Sequence, residues 1–376
     1  ALGGLLEETK EMKVLAIVGL PVAYGAGLYN CAAVFCRGKL LGVVPKTNIP
    51  NYSEFYEARN FSASPEYTEI TLCGQKVPMG NSLVFRCENV TGFTFGVELC
   101  EDLWVPCPPS QGLALAGAEV VFNLSASDEV IGKAPYRRGL VEGQSGRLLC
   151  AYVYAGAGEG ESTTDMVFAG HRMVAENGEL LAESKPFTTG LTVAEIDLQR
   201  IAQERRHMTT WCGAGHANDV TFTMDEPEFV PQRKFPCTPF VPDDRKDLEE
   251  RCEMILNLQA EGLKTRLEHI HAKSAVIGVS GGLDSTLALL VTVRAFDMLG
   301  LGRKGIVAVT MPGFGTTKRT KSNAQKLAEL LGVDYREIPI GESVSMHFRD
   351  IGHDPSVRDV TYENAQARER TQVLMD

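Results

Sequence analysis

The chain has 376 residues, 44% of them hydrophobic and 23% charged, and a formal net charge of −11 at pH 7. Its length suggests about two or three domains, and its composition is that of ordinary soluble globular domains. With no basic stripe to offset the acidic balance, the charge argues against nucleic acid as a partner, and with no apolar run of about 18 residues nothing is expected to span a membrane.

Residues 1–24 contain acids and no small-residue cleavage site after a basic start, so no signal peptide is expected. Short β-rich runs follow at 14–18, 30–35, 92–97, 120–124, 151–154 and 191–196, with helical patterns at 111–116 and 136–150. Strands interleaved with helices argue for an α/β or α+β sandwich. Glu176-Asn177-Gly178-Glu179, between two strand-like runs, reads as a hairpin turn. Ten cysteines are scattered through the chain with no Cys-x-x-Cys pair, so a structural zinc site is not expected. Most read as small buried hydrophobes in a reducing cytoplasm, which is the expected location.

Between 225 and 245 the texture changes. Prolines at 227, 231, 236, 239 and 242 fix an extended backbone and mark a stiff linker. The expected organisation is a first domain over 1–225, a linker over 226–245 and a second domain over 246–376. Leu248, Cys252, Ile255, Leu263, Leu267 and Ile270 then form an apolar stripe on a long helix, with Asp243 or Asp244 as cap. A strand at 275–279, a helix at 285–299, a strand at 306–310, a helix at 320–331 closed by Gly332, and a strand at 335–340 complete the series. Alternating β and α units imply a parallel, doubly wound sheet with ligand at the strand C-termini.

The loop at that edge is Gly278, Val279, Ser280, Gly281, Gly282, Leu283, Asp284 and Ser285. Its glycines let the backbone approach an anion, and the free N–H groups of the following helix point towards it. Ser280 and Ser285 add hydroxyl donors. Asp284 is the only anion of the loop, and a carboxylate beside a phosphate needs a cation between them, so it reads as a magnesium ligand. No Gly-Lys-Ser/Thr ending follows, which excludes a Walker A loop. A glycine-rich strand-to-helix turn without chemistry is the bland alternative.

In the first domain, Cys100 follows a strand in Gly96-Val-Glu-Leu-Cys-Glu-Asp-Leu-Trp104, and Lys46 lies in Val43-Val-Pro-Lys-Thr-Asn-Ile-Pro-Asn-Tyr-Ser-Glu-Phe-Tyr56. An amide carbonyl is a poor electrophile, so its attack needs a thiolate and a cation near the developing oxyanion. Cys100 supplies the sulfur and Lys46 the charge, and the Glu101 N–H is a further donor. A buried structural cysteine and a solvated lysine are the competing readings on composition alone.

The loop resembles the Ser-Gly-Gly-x-Asp-Ser signature of the N-type ATP pyrophosphatases. The Cys100 and Lys46 segments resemble the nitrilase (carbon–nitrogen hydrolase) superfamily, whose triad is Glu, Lys and Cys. In order and spacing, the whole chain resembles the glutamine-dependent NAD+ synthetases. The matching stretches include 123–133, the Gly-Glu-Gly-Glu-Ser-Thr-Thr-Asp run at 158–165, Phe240-Val-Pro and Asp359-Val-Thr-Tyr-Glu-Asn-Ala-Gln-Ala-Arg368. The resemblance implies a nitrilase-like α-β-β-α sandwich followed by a Rossmann-like, doubly wound parallel-sheet domain. It implies a ligase that takes ammonia from glutamine and, with ATP and Mg2+, amidates deamido-NAD+ to NAD+, releasing AMP and pyrophosphate. Cys100 is then the nucleophile and Lys46 the triad lysine. Tyr52, Ser127 and Lys133 hold glutamine, with Lys133 standing where other members carry arginine. Gly278 to Ser285 hold ATP, Met311-Pro-Gly-Phe-Gly315 lies by the adenine, and Asn364 contacts deamido-NAD+. The family also implies a homo-oligomer.

By the same resemblance the triad glutamate belongs to a segment before the first shared motif, and Glu7, Glu8 and Glu11 are in the wrong place for it. A second magnesium carboxylate is expected beyond Asp376, so the chain reads as a fragment lacking both ends. The other readings are a different glutamine-dependent amidotransferase with the same loop, and a catalytically silent piece.

Overall fold

The first unit, Ala1–Lys234, is built on two sheets. The computed structural model describes the chain except for residues 66, 162–165, 212–214, 226–229, 236 and 315–317, and the side chains of 318–321. The last four residues of the 158–165 run, Cys212, Pro227, Pro236 and Gly315 therefore lie outside the described residues. After α1 (Leu2–Glu8), the strands β1 (Leu15–Tyr24), β2 (Gly27–Cys36), β3 (Lys39–Pro45), β4 (Thr68–Leu72) and β5 (Gln75–Met79) form a sheet in the order β1-β2-β3-β5-β4. The second sheet contains β6 (Leu83–Cys87), β7 (Thr94–Leu99), β8 (Val120–Ser125), β9 (Ala151–Gly156), β10 (Arg172–Glu176), β11 (Glu179–Glu183) and β12 (Asn218–Phe222). Its order is β11-β10-β9-β8-β7-β6-β12. Three helices accompany it: α2 (Pro109–Leu115), α3 (Lys133–Leu148) and α4 (Leu198–His207).

Side-chain alternation explains the layering. Along β2, Ala32, Val34 and Cys36 face β6 and β7 in the core between the sheets, while Cys31, Ala33 and Phe35 face α1. On β9, Ala151 faces inward, while Tyr152 and Tyr154 pack under α3 on the other face. Strands buried on both faces read as continuous apolar runs rather than alternating ones. The result is an α-β-β-α sandwich. Its centre is aromatic, with Phe85 and Phe95 stacked at 4.9 Å, and each fully buried side chain of this size contributes roughly 1.5–3 kcal/mol.

The second unit, Phe235–Asp376, begins with α5 (Arg245–His269), whose cap is Asp244, accepting from the Asp247 N–H at 3.0 Å. The strands β13 (Ala275–Gly278), β14 (Ile306–Thr310) and β15 (Asp334–Glu337) pair in parallel in sequence order. The crossovers α6 (Leu283–Met298) and α7 (Lys318–Leu331) cover one face. The helices α8 (Gly341–Ile351) and α9 (Val360–Met375) cover the other. Gly332 at φ +73° lets the Val333 N–H return to the Ala328 carbonyl at 3.2 Å, which closes α7. Among the described residues no helix is long and apolar enough to cross a membrane.

The hairpin is present, with Asn177 at φ 49° and Gly178 at φ 87° between the paired residues Glu176 and Glu179, as a type I′ turn requires. Three expectations fail. Of the nine described cysteines only Cys31, Cys36 and Cys150 are buried, so most are not core hydrophobes. Residues 191–196 form no strand: Leu191 is 94% exposed and Val193 77%, and only Ile196 packs on the core. On α5, Leu263 and Leu267 pack inward, but Cys252, Ile255 and Ile270 are exposed, so the helix buries its C-terminal half alone.

Candidate active sites

Cys100 directly follows β7 and begins a single 3-10 turn, Cys100–Leu103, with φ at +46°. A non-glycine residue in the left-handed region is strained, and such strain is held only where the surroundings fix it. Two anchors do so. The Cys100 N–H donates to Asn123 Oδ1 on β8 at 3.1 Å. The buried Asp102 carboxylate accepts from the Leu99 N–H at 3.1 Å, from the Asn48 N–H and side-chain amide at 2.8 Å each, and from the Thr47 N–H at 3.3 Å. Asp102 thereby ties the cysteine turn to the residues that directly follow Lys46.

Lys46 is 2% exposed and is paired with Glu57, which also accepts from Asn30 Nδ2 at 2.7 Å. Both residues line one cavity of about 1030 Å³ with Cys100. Tyr52, Ser127 and Lys133 line the same cavity, so the structure brings together all five residues singled out in this half. The Tyr52 hydroxyl donates to Glu101 at 2.7 Å, and desolvation together with that bond pushes its pKa up to about 12. Lys133 is paired with Asp128, its ammonium 5.4 Å from the Phe55 ring centre and 5.5 Å from that of Trp104. Such a floor of ring faces attracts a cation.

Sequence reasoning missed Glu57, Asn123 and the role of Asp102. Glu57 is one residue past the motif that ends at Tyr56, and an acid needed by a buried lysine was the available signal.

In the second unit, Gly281 sits at φ +81° between β13 and α6. The Ser280 N–H donates to Ser285 Oγ at 3.2 Å, the Gly282 N–H to Ser280 Oγ at 3.3 Å, and Ser285 Oγ to the Gly282 carbonyl at 3.2 Å. Val279 is fixed from below by Thr310 Oγ1, which donates to its carbonyl at 2.8 Å. Leu283 and Asp284 are exposed in the first turn of α6, where N–H groups have no partner within the helix. Gly278 has a different reason to be glycine: a Cβ there would lie 3.1 Å from Leu374 Cδ1 and 3.2 Å from Met311 Cε. Asn364 is exposed on α9 and takes no part in the described hydrogen bonds of the loop. That helix is tied to the segment after β14 by Gln366, which accepts from the Phe314 N–H at 3.2 Å.

Among the described residues no group of three or more His, Cys, Asp or Glu is placed to hold a metal. Asp284 therefore suits magnesium only in the mode where phosphate and water oxygens complete the coordination shell.

Comparison with known proteins gives two family matches, carbon–nitrogen hydrolase over residues 1–206 and NAD synthase over residues 255–376. The glutamine-dependent NAD(+) synthetase of Mycobacterium tuberculosis is 43% identical over 391 aligned residues, covering 100% of this chain and 58% of the relative. That of Aquifex aeolicus is 28% identical, covering 98% of this chain and 60% of the relative. The chain thus spans 58–60% of the length of these curated relatives. A solved structure of glutamine-dependent NAD+ synthetase from Acinetobacter baumannii with ADP is 24% identical, with 99% of this chain and 60% of that one covered and a TM-score of 0.42.

Proposed function

The chain belongs to the carbon–nitrogen hydrolase family, and from that premise we propose that it serves glutamine-dependent NAD+ synthesis, with glutamine hydrolysed in the first unit and deamido-NAD+ amidated in the second. The observation that carries the reading is Cys100, held in a strained turn, sharing one cavity with the buried Lys46 and its half-buried partner Glu57. The NAD synthase match over 255–376 supports the choice of acceptor.

In this reading the Cys100 thiolate attacks the carboxamide carbon of glutamine. Lys46, paired with Glu57, faces the developing oxyanion together with the Glu101 N–H. The carbon–nitrogen bond breaks, the nitrogen leaves as ammonia with the proton that the thiol gave up, and water cleaves the thioester to give glutamate and restore the thiol. Tyr52 contacts the substrate through its hydroxyl oxygen, Ser127 adds a second hydroxyl, and Lys133 is the cation for the substrate carboxylate. Its point charge replaces the planar fork of arginine. In the second unit the Gly278 to Ser285 loop receives the phosphates of ATP, and Asp284 would hold Mg2+, which neutralises pyrophosphate. The nicotinate carboxylate attacks the α-phosphorus, pyrophosphate leaves, and ammonia then displaces AMP. Asn364 would contact deamido-NAD+. We further take the protein to be a cytoplasmic homo-oligomer, as the family resemblance implies.

The test is Cys100→Ala in the intact enzyme. NAD+ formation from glutamine should fall by several orders of magnitude while formation from ammonium is spared. Loss of both activities with the fold retained would remove Cys100 from a separate glutaminase site.

A further inference from the structure

Behind the cavity lies a closed hydrogen-bond path that the chemistry above does not use. Asn123 accepts the Cys100 N–H at 3.1 Å, and its Nδ2 donates to the Tyr152 hydroxyl at 3.1 Å. Tyr152 donates to Glu98 Oε1, and Glu98 Oε2 accepts the Ser110 N–H at 2.7 Å. The path starts at Cys100 just past β7, crosses β8 and β9, and returns to β7 two residues earlier, at Glu98. Glu98 and Asn123 are register partners on neighbouring parallel strands. All four supporting residues, Glu98, Ser110, Asn123 and Tyr152, are 0–1% exposed, so the path is sealed from bulk solvent.

Resting on the functional reading above, we propose that Asn123, Tyr152 and Glu98 are positioning residues that set the direction of the Cys100 turn for attack. Polarity fixes each member. A backbone N–H can only donate, so Asn123 must turn its oxygen to Cys100 and its amide hydrogens to Tyr152. The tyrosine oxygen accepts from Asn123, which leaves its hydrogen for Glu98. Glu98 accepts twice, and its second oxygen joins the network to the start of α2 through Ser110. Without the tyrosine hydroxyl, nothing on that side distinguishes the two orientations of the Asn123 amide. A flipped amide would face the Cys100 N–H with another donor, and the left-handed turn would lose its anchor. Buried networks of this kind act as a unit, so the loss should reach the sulfur two residues and two strands away from the broken bond.

The experiment uses Tyr152→Phe, which removes one oxygen, and Asn123→Leu, which keeps the shape without the acceptor. In the intact enzyme one would measure kcat and KM for glutamine hydrolysis, the rate of Cys100 alkylation by iodoacetamide by mass spectrometry, and NAD+ formation from ammonium. The expected result is a kcat lowered about 10-fold in Tyr152→Phe and about 100-fold in Asn123→Leu, with KM changed less than about twofold. Alkylation should slow about 10-fold, and ammonium-driven synthesis should be retained. A folded Tyr152→Phe variant with kcat and alkylation both within about twofold of wild type overturns the relay, and that single variant decides the matter if Asn123→Leu does not fold. Wild-type protein that fails to hydrolyse glutamine overturns the functional reading instead, while the alkylation rates still judge the relay.

Discussion

A lysine buried to 2% exposure needs an anion beside it, and Glu57 meets that need at Lys46. The same physics acts in the opposite sense at Glu98, where desolvation pushes the carboxyl pKa up to about 7 against the hydrogen bonds from Tyr152 and Ser110. A carboxyl with a raised folded value holds its proton more tightly in the folded state. Its contribution to stability is therefore full below about 4.5 and is lost as pH rises towards about 7. The loss is on the order of 3 kcal/mol. Thermal unfolding should accordingly become easier between pH 5 and pH 8, and Glu98→Gln should flatten that slope; an unchanged slope would show that Glu98 does not titrate there. At Asp284 the carboxylate is exposed at a helix start that otherwise favours anions. Asp284→Asn keeps the shape without the charge, so NAD+ synthesis should be crippled with either nitrogen donor while glutamine hydrolysis stays measurable. Mutant synthesis with the magnesium dependence of wild type would take Asp284 out of the site.

Elements were most legible where local chemistry is strong. The Asn177-Gly178 hairpin, the Gly332 cap and the βαβ rhythm from Ala275 to Glu337 all rest on backbone preferences that a sequence displays directly. Among the described residues, 191–196 have strand composition but pair with no strand, and the stripe on α5 overreached because most of its first half is exposed. Both depend on tertiary partners. The site divides the same way: Cys100 and Lys46 sit in recognisable local patterns, whereas Glu57 and Asn123 matter only through contacts made across the fold. Gly281 belongs to the legible class, since its φ of +81° is one that a side chain resists. Gly281→Ala should strain the loop by about 1 kcal/mol and raise the KM for ATP several-fold with either nitrogen donor, leaving glutamine hydrolysis unchanged. An unaltered KM for ATP would mean that the loop does not hold the nucleotide.

On the scale of the whole molecule, each unit has its own core and its own candidate site. The five cavity residues Lys46, Tyr52, Cys100, Ser127 and Lys133 lie within the first unit and the glycine-rich loop within the second. Under the proposed function, that separation is why the substitutions above should each disable one half-reaction. The net charge of −11 leaves little positive potential outside such sites for anionic substrates. The most direct measurement follows the nitrogen atom itself. The intact enzyme is given deamido-NAD+, ATP and glutamine labelled with 15N at the amide, and the product is read by mass spectrometry. The account expects NAD+ one mass unit heavier, with the label in its carboxamide, and no labelled NAD+ from Cys100→Ala unless labelled ammonium is supplied. Labelled NAD+ formed from glutamine by Cys100→Ala at the wild-type rate would contradict it.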